Sequence, residues 1–369
     1  MKKLLHIQLL PLMSGVQRFS LHLLDGLEAD EFEIYVAAKP GGELQQELNK
    51  RGYTFIPLPS FCHPISPLDL VTFFHLLWLI KSHGFDIVHT NSSKPGLLGR
   101  LAARLLKVPL ILHTAHGTAF QENQAPLLKR LYILLERWGN SLGHKTVFVN
   151  NSDRERCLAM HLLPSSKAIT IYNALPPDVA KRLYEIAAVR TMPDKDVIIG
   201  STIRFSEQKN VIRLISCACR ACIHSPKLRF IILGDGEHYE LCKAIVHSCN
   251  MENRIILPGW DSDVVQWLKV FNAFVLYSRW EAQPFSIIEA MSAALPIIGS
   301  DIPSIRELVD DDTGYLVPLD NDDALVEVFT SMAQEFRPAY NKGMAGQQKI
   351  GSICSYQGMV AAYLELYRG

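Results

Sequence analysis

Two glutamates with seven residues between them, Glu281 and Glu289 in the run Glu281-Ala282-Gln283-Pro284-Phe285-Ser286-Ile287-Ile288-Glu289, are the most informative pair of side chains in this 369-residue sequence. An apolar run at 273–276 predicts a strand, so Glu281 falls near its carboxyl end and Glu289 within the first turns of the helix that follows. Carboxylates in those places can accept hydrogen bonds from sugar and ribose hydroxyls. The helix start between them, with amides that lack intrahelical partners and a positive dipole end, attracts an anion. On spacing alone the pair is also compatible with a loop residue and a solvated helix residue.

A second candidate pair is Arg204 and Lys209, in Arg204-Phe205-Ser206-Glu207-Gln208-Lys209-Asn210 directly after a predicted strand at Val197–Thr202. A guanidinium fork and an ammonium suit a diphosphate, because each donates charge-assisted hydrogen bonds worth about 1.5–3 kcal/mol. Together they could neutralise a departing diphosphate without a divalent metal. As a local pattern they could equally be surface charges flanking a strand. Gly234-Asp235-Gly236 after the next strand lacks both the third glycine of a dinucleotide fingerprint and a following GK[ST], so a tight turn is its plain reading.

In the first half, a predicted strand at Leu4–Leu10 leads to Ser14-Gly15 and then a helix from Phe19 to Leu27. Gly15 would let backbone and ligand approach closely at a helix start. His116-Gly117 follows a predicted strand at Leu110–Thr114, where an imidazole could donate to a sugar hydroxyl. His113 and His116 are alternatively two metal ligands, but no third is near in sequence. His89 reads as a structural residue at a strand end. Asp261-Ser262-Asp263 and Asp310-Asp311-Asp312 read as solvated loops, with Asp263 at an N-cap position before Val264–Val270. Cys217, Cys219 and Cys222 sit on a predicted helix, where residues two apart face nearly opposite ways, so small packing residues are expected rather than a metal site.

The elements that must position these residues repeat one unit: an apolar run of four to eight residues, a turn, then an amphipathic stretch. This alternation predicts parallel sheets covered by helices. One series of strands runs from Leu4–Leu10 to Lys145–Asn150 and Ile169–Tyr172, and a second from Val197–Thr202 to Gly314–Val317. The fold class is therefore α/β, with two Rossmann-like domains whose ligands are expected beyond the carboxyl ends of the strands. The length suits two domains of that kind.

Composition narrows the function classes. Hydrophobic residues make up 48% and charged residues 20%, which describes a globular chain. With 37 basic and 37 acidic side chains no global field recruits nucleic acid. Met1 to Leu12 reads as a first buried strand rather than a signal peptide, since His6 and Gln8 interrupt it. The apolar stretch Leu70–Ile80 is far short of the roughly 20 residues that span a bilayer. Eight scattered cysteines fit reduced thiols, and the expectation is a cytoplasmic protein. Local patches are a different matter. Arg100, Arg104 and Lys107 interleave with leucines, as do Lys129, Arg130 and Arg137. Such helices can lie on an anionic membrane surface, or pack on their own sheet with the arginines in water.

The ordered set of motifs resembles glycosyltransferase family 4, whose members retain the anomeric configuration and have the GT-B fold of two Rossmann-like domains facing a cleft. The resemblance rests on the E-x7-E stretch Glu281–Glu289, on Arg204 to Lys209, and on Gly234-Asp235-Gly236, Leu257-Pro258-Gly259 and Thr313-Gly314-Tyr315-Leu316-Val317-Pro318 in the family's order. It covers nearly all of the second half. It implies an acceptor domain at 1–175, a donor domain at 176–350, and a terminal helix at 351–369 that crosses back to the first domain. As catalytic residues it implies His116, Glu281, Arg204 and Lys209. As donor-binding residues it implies Gly15, Arg204, Lys209, Gly234, Leu257, Pro258, Glu281, Phe285, Ser286, Ile287 and Glu289. Ser14-Gly15 departs from the two adjacent glycines usual in the family. The implied activity is transfer of a hexose from a nucleoside diphosphate sugar, such as a UDP-sugar, to a glycan or lipid-linked acceptor in lipopolysaccharide, O-antigen or capsule assembly. Neither a cofactor nor a metal is expected, and peripheral contact with the inner membrane's cytoplasmic face is. The competing readings are a nucleotide-sugar epimerase of the same fold and a non-catalytic sugar-binding protein.

Overall fold

The computed structural model describes residues 1–62, 65–120 and 124–369. The chain divides into two compact units, Met1–Ala174 with Tyr356–Gly369, and Leu175–Ser355.

The first unit runs β1 (Lys2–Ile7), α1 (Gly15–Asp25), β2 (Phe32–Ala38), α2 (Glu43–Lys50), β3 (Thr54–Pro57), α3 (Leu68–His83), β4 (Ile87–Asn91), α4 (Ser93–Leu105), β5 (Leu110–Ala115), α5 (Pro126–Leu142), β6 (Lys145–Phe148), α6 (Asn151–Ala159) and β7 (Ala168–Thr170). Its seven strands lie in the order β3-β2-β1-β4-β5-β6-β7, and every pairing is parallel. Strands sandwiched between helices read as continuous apolar runs. Accordingly Leu5, Ile7, Val88 and Ile111 form one core with Leu76, Leu79 and Ile80 of α3 and Ala102 and Ala103 of α4.

The second unit runs α7 (Pro177–Ala188), β8 (Val197–Thr202), α8 (Val211–His224), β9 (Leu228–Leu233), α9 (Tyr239–Ser248), β10 (Ile255–Gly259), α10 (Val264–Val270), β11 (Ala273–Leu276), α11 (Phe285–Ser292), β12 (Ile297–Ser300), α12 (Pro303–Arg306), β13 (Gly314–Val317), α13 (Asp322–Gln334) and α14 (Arg337–Ile353). Its sheet has the order β10-β9-β8-β11-β12-β13, again all parallel. Helix α14 runs through residue 350, so the segment that returns to the first unit is α15 (Tyr356–Arg368). Val360 of α15 fills the space beside Gly26, and Arg368 pairs with Glu31.

Local chemistry moves several boundaries from the sequence reading. Strand β1 ends at Ile7 rather than Leu10, and α1 begins at Gly15 rather than Phe19. The reason is a capping box: Gln17 Oε1 accepts from the Ser14 backbone amide at 3.3 Å, which fixes Ser14 as the N-cap. Strand β6 stops at Phe148 because Asn150 caps α6, its Oδ1 accepting from the Asp153 amide at 2.6 Å. Asp263 occupies the N-cap position of α10 but makes no side-chain cap bond, and its carboxylate pairs with Arg182 at 3.1 Å. Arg100 is not in water either. It is buried, donating from Nε to the Gly96 carbonyl at 2.7 Å and from Nη1 to Asn140 Oδ1 at 3.0 Å, and burial pushes its pKa down to about 10.

Candidate functional site

In the second unit the sheet reverses direction of growth between β8 and β11, which are adjacent in space although three helices and two strands separate them in sequence. Ligands of open parallel sheets sit outside the carboxyl ends at such a reversal. Arg204 and Lys209 leave β8 there, and Glu281 leaves β11.

The two loops are stitched together. Residues 207–209 form one 3-10 turn, and the Gln208 carbonyl accepts from the Arg279 amide at 2.8 Å while its side chain donates from Nε2 to the Trp280 carbonyl at 3.0 Å. Arg279 Nε lies 3.1 Å from Glu207 Oε1. These contacts set Lys209 Nζ against Glu281 Oε1 at 2.5 Å, with both side chains largely shielded from solvent. A half-buried ion pair of this kind is a poor source of net stability, since desolvation offsets much of the attraction. It holds two candidate site groups in register instead. Arg204 is exposed on the same loop, and among the described residues its guanidinium has no partner.

Behind that loop, Gly234 has φ +131°, and a Cβ there would lie 1.7 Å from the Ile203 carbonyl oxygen. Gly236, at φ +153°, abuts Phe205 in the same way. The Phe205 amide donates to the Asp235 carbonyl at 2.9 Å, and the Gly234 amide to the Gly259 carbonyl at 2.8 Å. The glycines therefore let the β9 loop press directly on the backbone that carries Arg204. Leu257 and Pro258 sit at the end of β10, where Tyr239 Oη donates to the Leu257 carbonyl at 2.7 Å. They share the carboxyl-end edge but touch neither Arg204 nor Lys209 through any described bond.

Helix α11 begins at Phe285 behind Pro284, which supplies no side-chain cap. Phe285 and Ile287 are buried and Ser286 is half-buried. Glu289, one turn further on, is 4% exposed and so is not the solvated helix residue that spacing alone allowed. A surface cavity of about 530 Å³ bordered by Arg220, His224, Lys227, Asp323 and Glu327 lies at α8 and α13, away from all of these residues.

The first unit gathers different chemistry at its own reversal, between β1 and β4. His116 follows β5, and its ring meets Phe19 of α1 edge-on at 4.8 Å, one turn from Gly15. Asn91 at the end of β4 bridges two imidazoles. Its Nδ2 donates to His6 Nε2 at 2.7 Å and reaches the Ile7 carbonyl at 3.4 Å, while its Oδ1 accepts from His116 Nε2 at 3.1 Å. The proton of His116 is thereby assigned to Nε2, leaving Nδ1 as an acceptor. Burial drives the pKa of His116 down to about 3, and burial with the neighbouring His116 does the same to His6. His89 donates or accepts at Tyr367 Oη (2.6 Å) and Thr114 Oγ1 (2.7 Å), so it is a structural residue. Asn91, His6 and the tyrosines of α15 escaped the sequence reading; a polar residue closing an apolar strand was the one signal for Asn91.

Among the described residues no group of three or more His, Cys, Asp or Glu could hold a metal ion. Cys217, Cys219 and Cys222 are buried along α8, and desolvation raises their thiols to about 12, 12 and 11.

Two doubly wound parallel sheets, one carrying a cation pair and carboxylates at its reversal, define a GT-B glycosyltransferase. The comparisons with known proteins are specific. The family model described as Glycosyltransferase Family 4 matches residues 13–179, and that described as Glycosyl transferases group 1 matches residues 185–338. The Escherichia coli UDP-Gal:alpha-D-GlcNAc-diphosphoundecaprenol alpha-1,3-galactosyltransferase is 33% identical, over 90% of this chain and 88% of that one. A Campylobacter jejuni N,N'-diacetylbacillosaminyl-diphospho-undecaprenol alpha-1,3-N-acetylgalactosaminyltransferase is 23% identical over 80% of each chain. The crystal structure of Anabaena HepE in complex with UDP and glucose superposes with a TM-score of 0.82 at 15% identity, covering 100% of both chains. This chain belongs to glycosyltransferase family 4 and is a glycosyltransferase.

Proposed function

We propose that this enzyme transfers a hexose from a UDP-sugar, with retention at the anomeric carbon, to a sugar borne on a polyprenyl diphosphate, at the cytoplasmic face of a bacterial membrane, during O-antigen or capsule assembly. The observation that carries this reading is the loop pair at β8 and β11, with Arg204 exposed, Lys209 and Glu281 in contact, and a helix start immediately after. The polyprenyl-linked acceptor follows the Escherichia coli and Campylobacter jejuni relatives.

In this reading Arg204 and Lys209 neutralise the donor diphosphate as the bond from C1 to its oxygen breaks. Glu281 and the backbone of Phe285, Ser286 and Ile287 hold the donor sugar, and Glu289 holds the ribose. Gly234 shapes the Arg204 loop, while Leu257 and Pro258 border the nucleotide. The acceptor hydroxyl attacks C1 on the face the diphosphate leaves, and its proton passes to the departing diphosphate oxygen. No side chain is cast as a nucleophile, so preorganised charge supplies the rate. The first unit takes the acceptor, with Gly15 at a helix start and the neutral His116 accepting from a sugar hydroxyl through Nδ1. No metal takes part, because two cations occupy the role.

Incubation with UDP-hexose should release free UDP only when a polyprenyl diphosphate sugar is present, with activity intact in EDTA. UDP-sugar interconversion without acceptor would instead favour an epimerase, an alternative the reported relatives do not support. Binding without turnover on any acceptor would favour a non-catalytic protein.

A further inference from the structure

Helices α3, α4 and α5 pack side by side against the first unit's sheet, α3 on α4 and α4 on α5. On α3, Thr72, Leu76, Leu79 and Ile80 point into the core, yet Leu70, Val71, Phe74 and Trp78 form a second apolar stripe on the outside. Phe74 is 64% and Trp78 63% exposed. A helix apolar on both faces belongs in a buried setting. On α5 the only buried residues are Gly139 and Asn140, and Leu127, Leu131, Leu134 and Trp138 recur at heptad-like spacing on the exposed side. Leu127 is 79% exposed. Two such stripes, on the helices that flank α4, exceed the scattered single hydrophobes of an ordinary surface.

The charges around the stripes favour one sign. The three helices carry seven lysines and arginines against two acids, Asp69 and Glu136, in a chain that holds 37 of each. Asp69 is consumed by Lys94 at 2.5 Å, and Arg100 is buried. Lys81, Arg104, Lys129, Arg130 and Arg137 therefore face solvent or its border with Glu136 as their only acidic neighbour on these helices. Among the described residues no helix is long and apolar enough to cross a membrane.

We infer that the outer stripes of α3 and α5 seat this enzyme on an anionic lipid surface, with Phe74, Trp78, Leu131 and Trp138 entering the headgroup–acyl boundary and the surrounding cations binding anionic headgroups. Tryptophans at both stripes suit that boundary, where an amphipathic ring is stable. A second copy is the weaker occupant. A two-fold contact would set the same positively charged face against itself, whereas lipid phosphates neutralise it. The inference rests on the membrane-borne acceptor proposed above and names the surface that meets the membrane.

The test is flotation with vesicles of phosphatidylcholine alone or with 30% phosphatidylglycerol, at low salt and at high salt. The native chain is expected to float with the anionic vesicles, with binding reduced at high salt. F74S/W78S and L131S/W138S each lower the bound fraction at least about tenfold, and R130E/R137E flattens the salt dependence. Turnover on a water-soluble acceptor analogue, which needs no membrane, stays at the native level in all three variants and shows that they fold. Failure of native chain to bind anionic vesicles, or unchanged binding by both serine variants, overturns the inference whatever that turnover shows. Concentration-dependent dimerisation that the serine variants abolish, with flotation untouched, would hand the face to a second copy. Absence of turnover on every acceptor, with flotation as expected, would instead strike the proposed reaction and leave the surface standing.

Discussion

The two units solve the same topological problem with opposite chemistry. Each has a parallel sheet that reverses beside its first strand, and each places polar side chains at that reversal. In the second unit those side chains are ionic, with a guanidinium unpaired among the described residues and an ammonium held beside a carboxylate. In the first unit they are imidazoles and an amide, with His6 and Asn91 buried, His116 half-buried, and both imidazoles kept neutral. On the reaction proposed above, the difference fits the charges each side would meet: a diphosphate that leaves with its electrons needs cations, while an acceptor hydroxyl needs an uncharged partner. The contrast shows that a shared architecture fixes where a site lies and leaves its electrostatics to a handful of side chains.

The comparison can be broken most directly at the cations. R204A/K209A should lose about a thousandfold in kcat/KM, because two charge-assisted contacts of roughly 2 kcal/mol each are removed and every 1.4 kcal/mol is tenfold. K209A alone should lose at least about tenfold. Activity near native in the double variant would mean that the diphosphate lies elsewhere. Next in size is Gly234→Ala. Both the positive φ and the Ile203 carbonyl oppose a side chain, so a loss of about 2–4 kcal/mol in stability is expected, read as a lowered denaturant midpoint. An unchanged midpoint would show that the loop shifts freely.

The neutral imidazoles make an acid prediction. The unfolded chain protonates its histidines near pH 6.5, whereas folded His6 and His116 resist protonation until about pH 3. Their contribution to stability is therefore complete above about pH 6.5 and is lost as pH falls toward 3. Urea unfolding followed by a probe in the first unit should show the midpoint declining across that window, more steeply than in H6N/H116N. A flat profile from pH 7 to 4.5 would refute the neutral cluster. The smallest effect is expected from Asn91→Ala, which frees the His116 ring without removing it. A loss of about fivefold in kcat, with the donor KM unchanged, would identify Asn91 as a positioning residue. A change in donor KM alone would argue for a role in the second unit's chemistry instead.

Much of this was legible from the chain. Apolar runs and turns gave both series of strands, and Val197–Thr202, Ala273–Leu276 and Gly314–Val317 agree residue for residue. Strand ends were harder where a polar side chain decided them. Gln8 prolongs an apolar run without prolonging β1, and the Ser14–Gln17 capping box starts α1 before its first clear hydrophobic repeat. Glu289 offers a similar lesson: a carboxylate at the fifth position of a helix reads as solvated, and only the packing of α11 buries it. Arg100 was read beside Arg104 as one basic stripe, but α5 closes over the first and leaves the second exposed.

The amino-acid order by itself determined the alternation of strands and helices, the doubly repeated α/β plan, and the ordered motifs that mark the family. These are local properties, set by side-chain periodicity, caps and turns within a few residues. The tertiary structure alone decided which strand ends adjoin. Lys209 meets Glu281 because β8 pairs with β11, and His89 meets Tyr367 because α15 returns to the first sheet. Such meetings depend on strand pairing and burial between segments far apart in sequence, where local propensity carries no record of the partner.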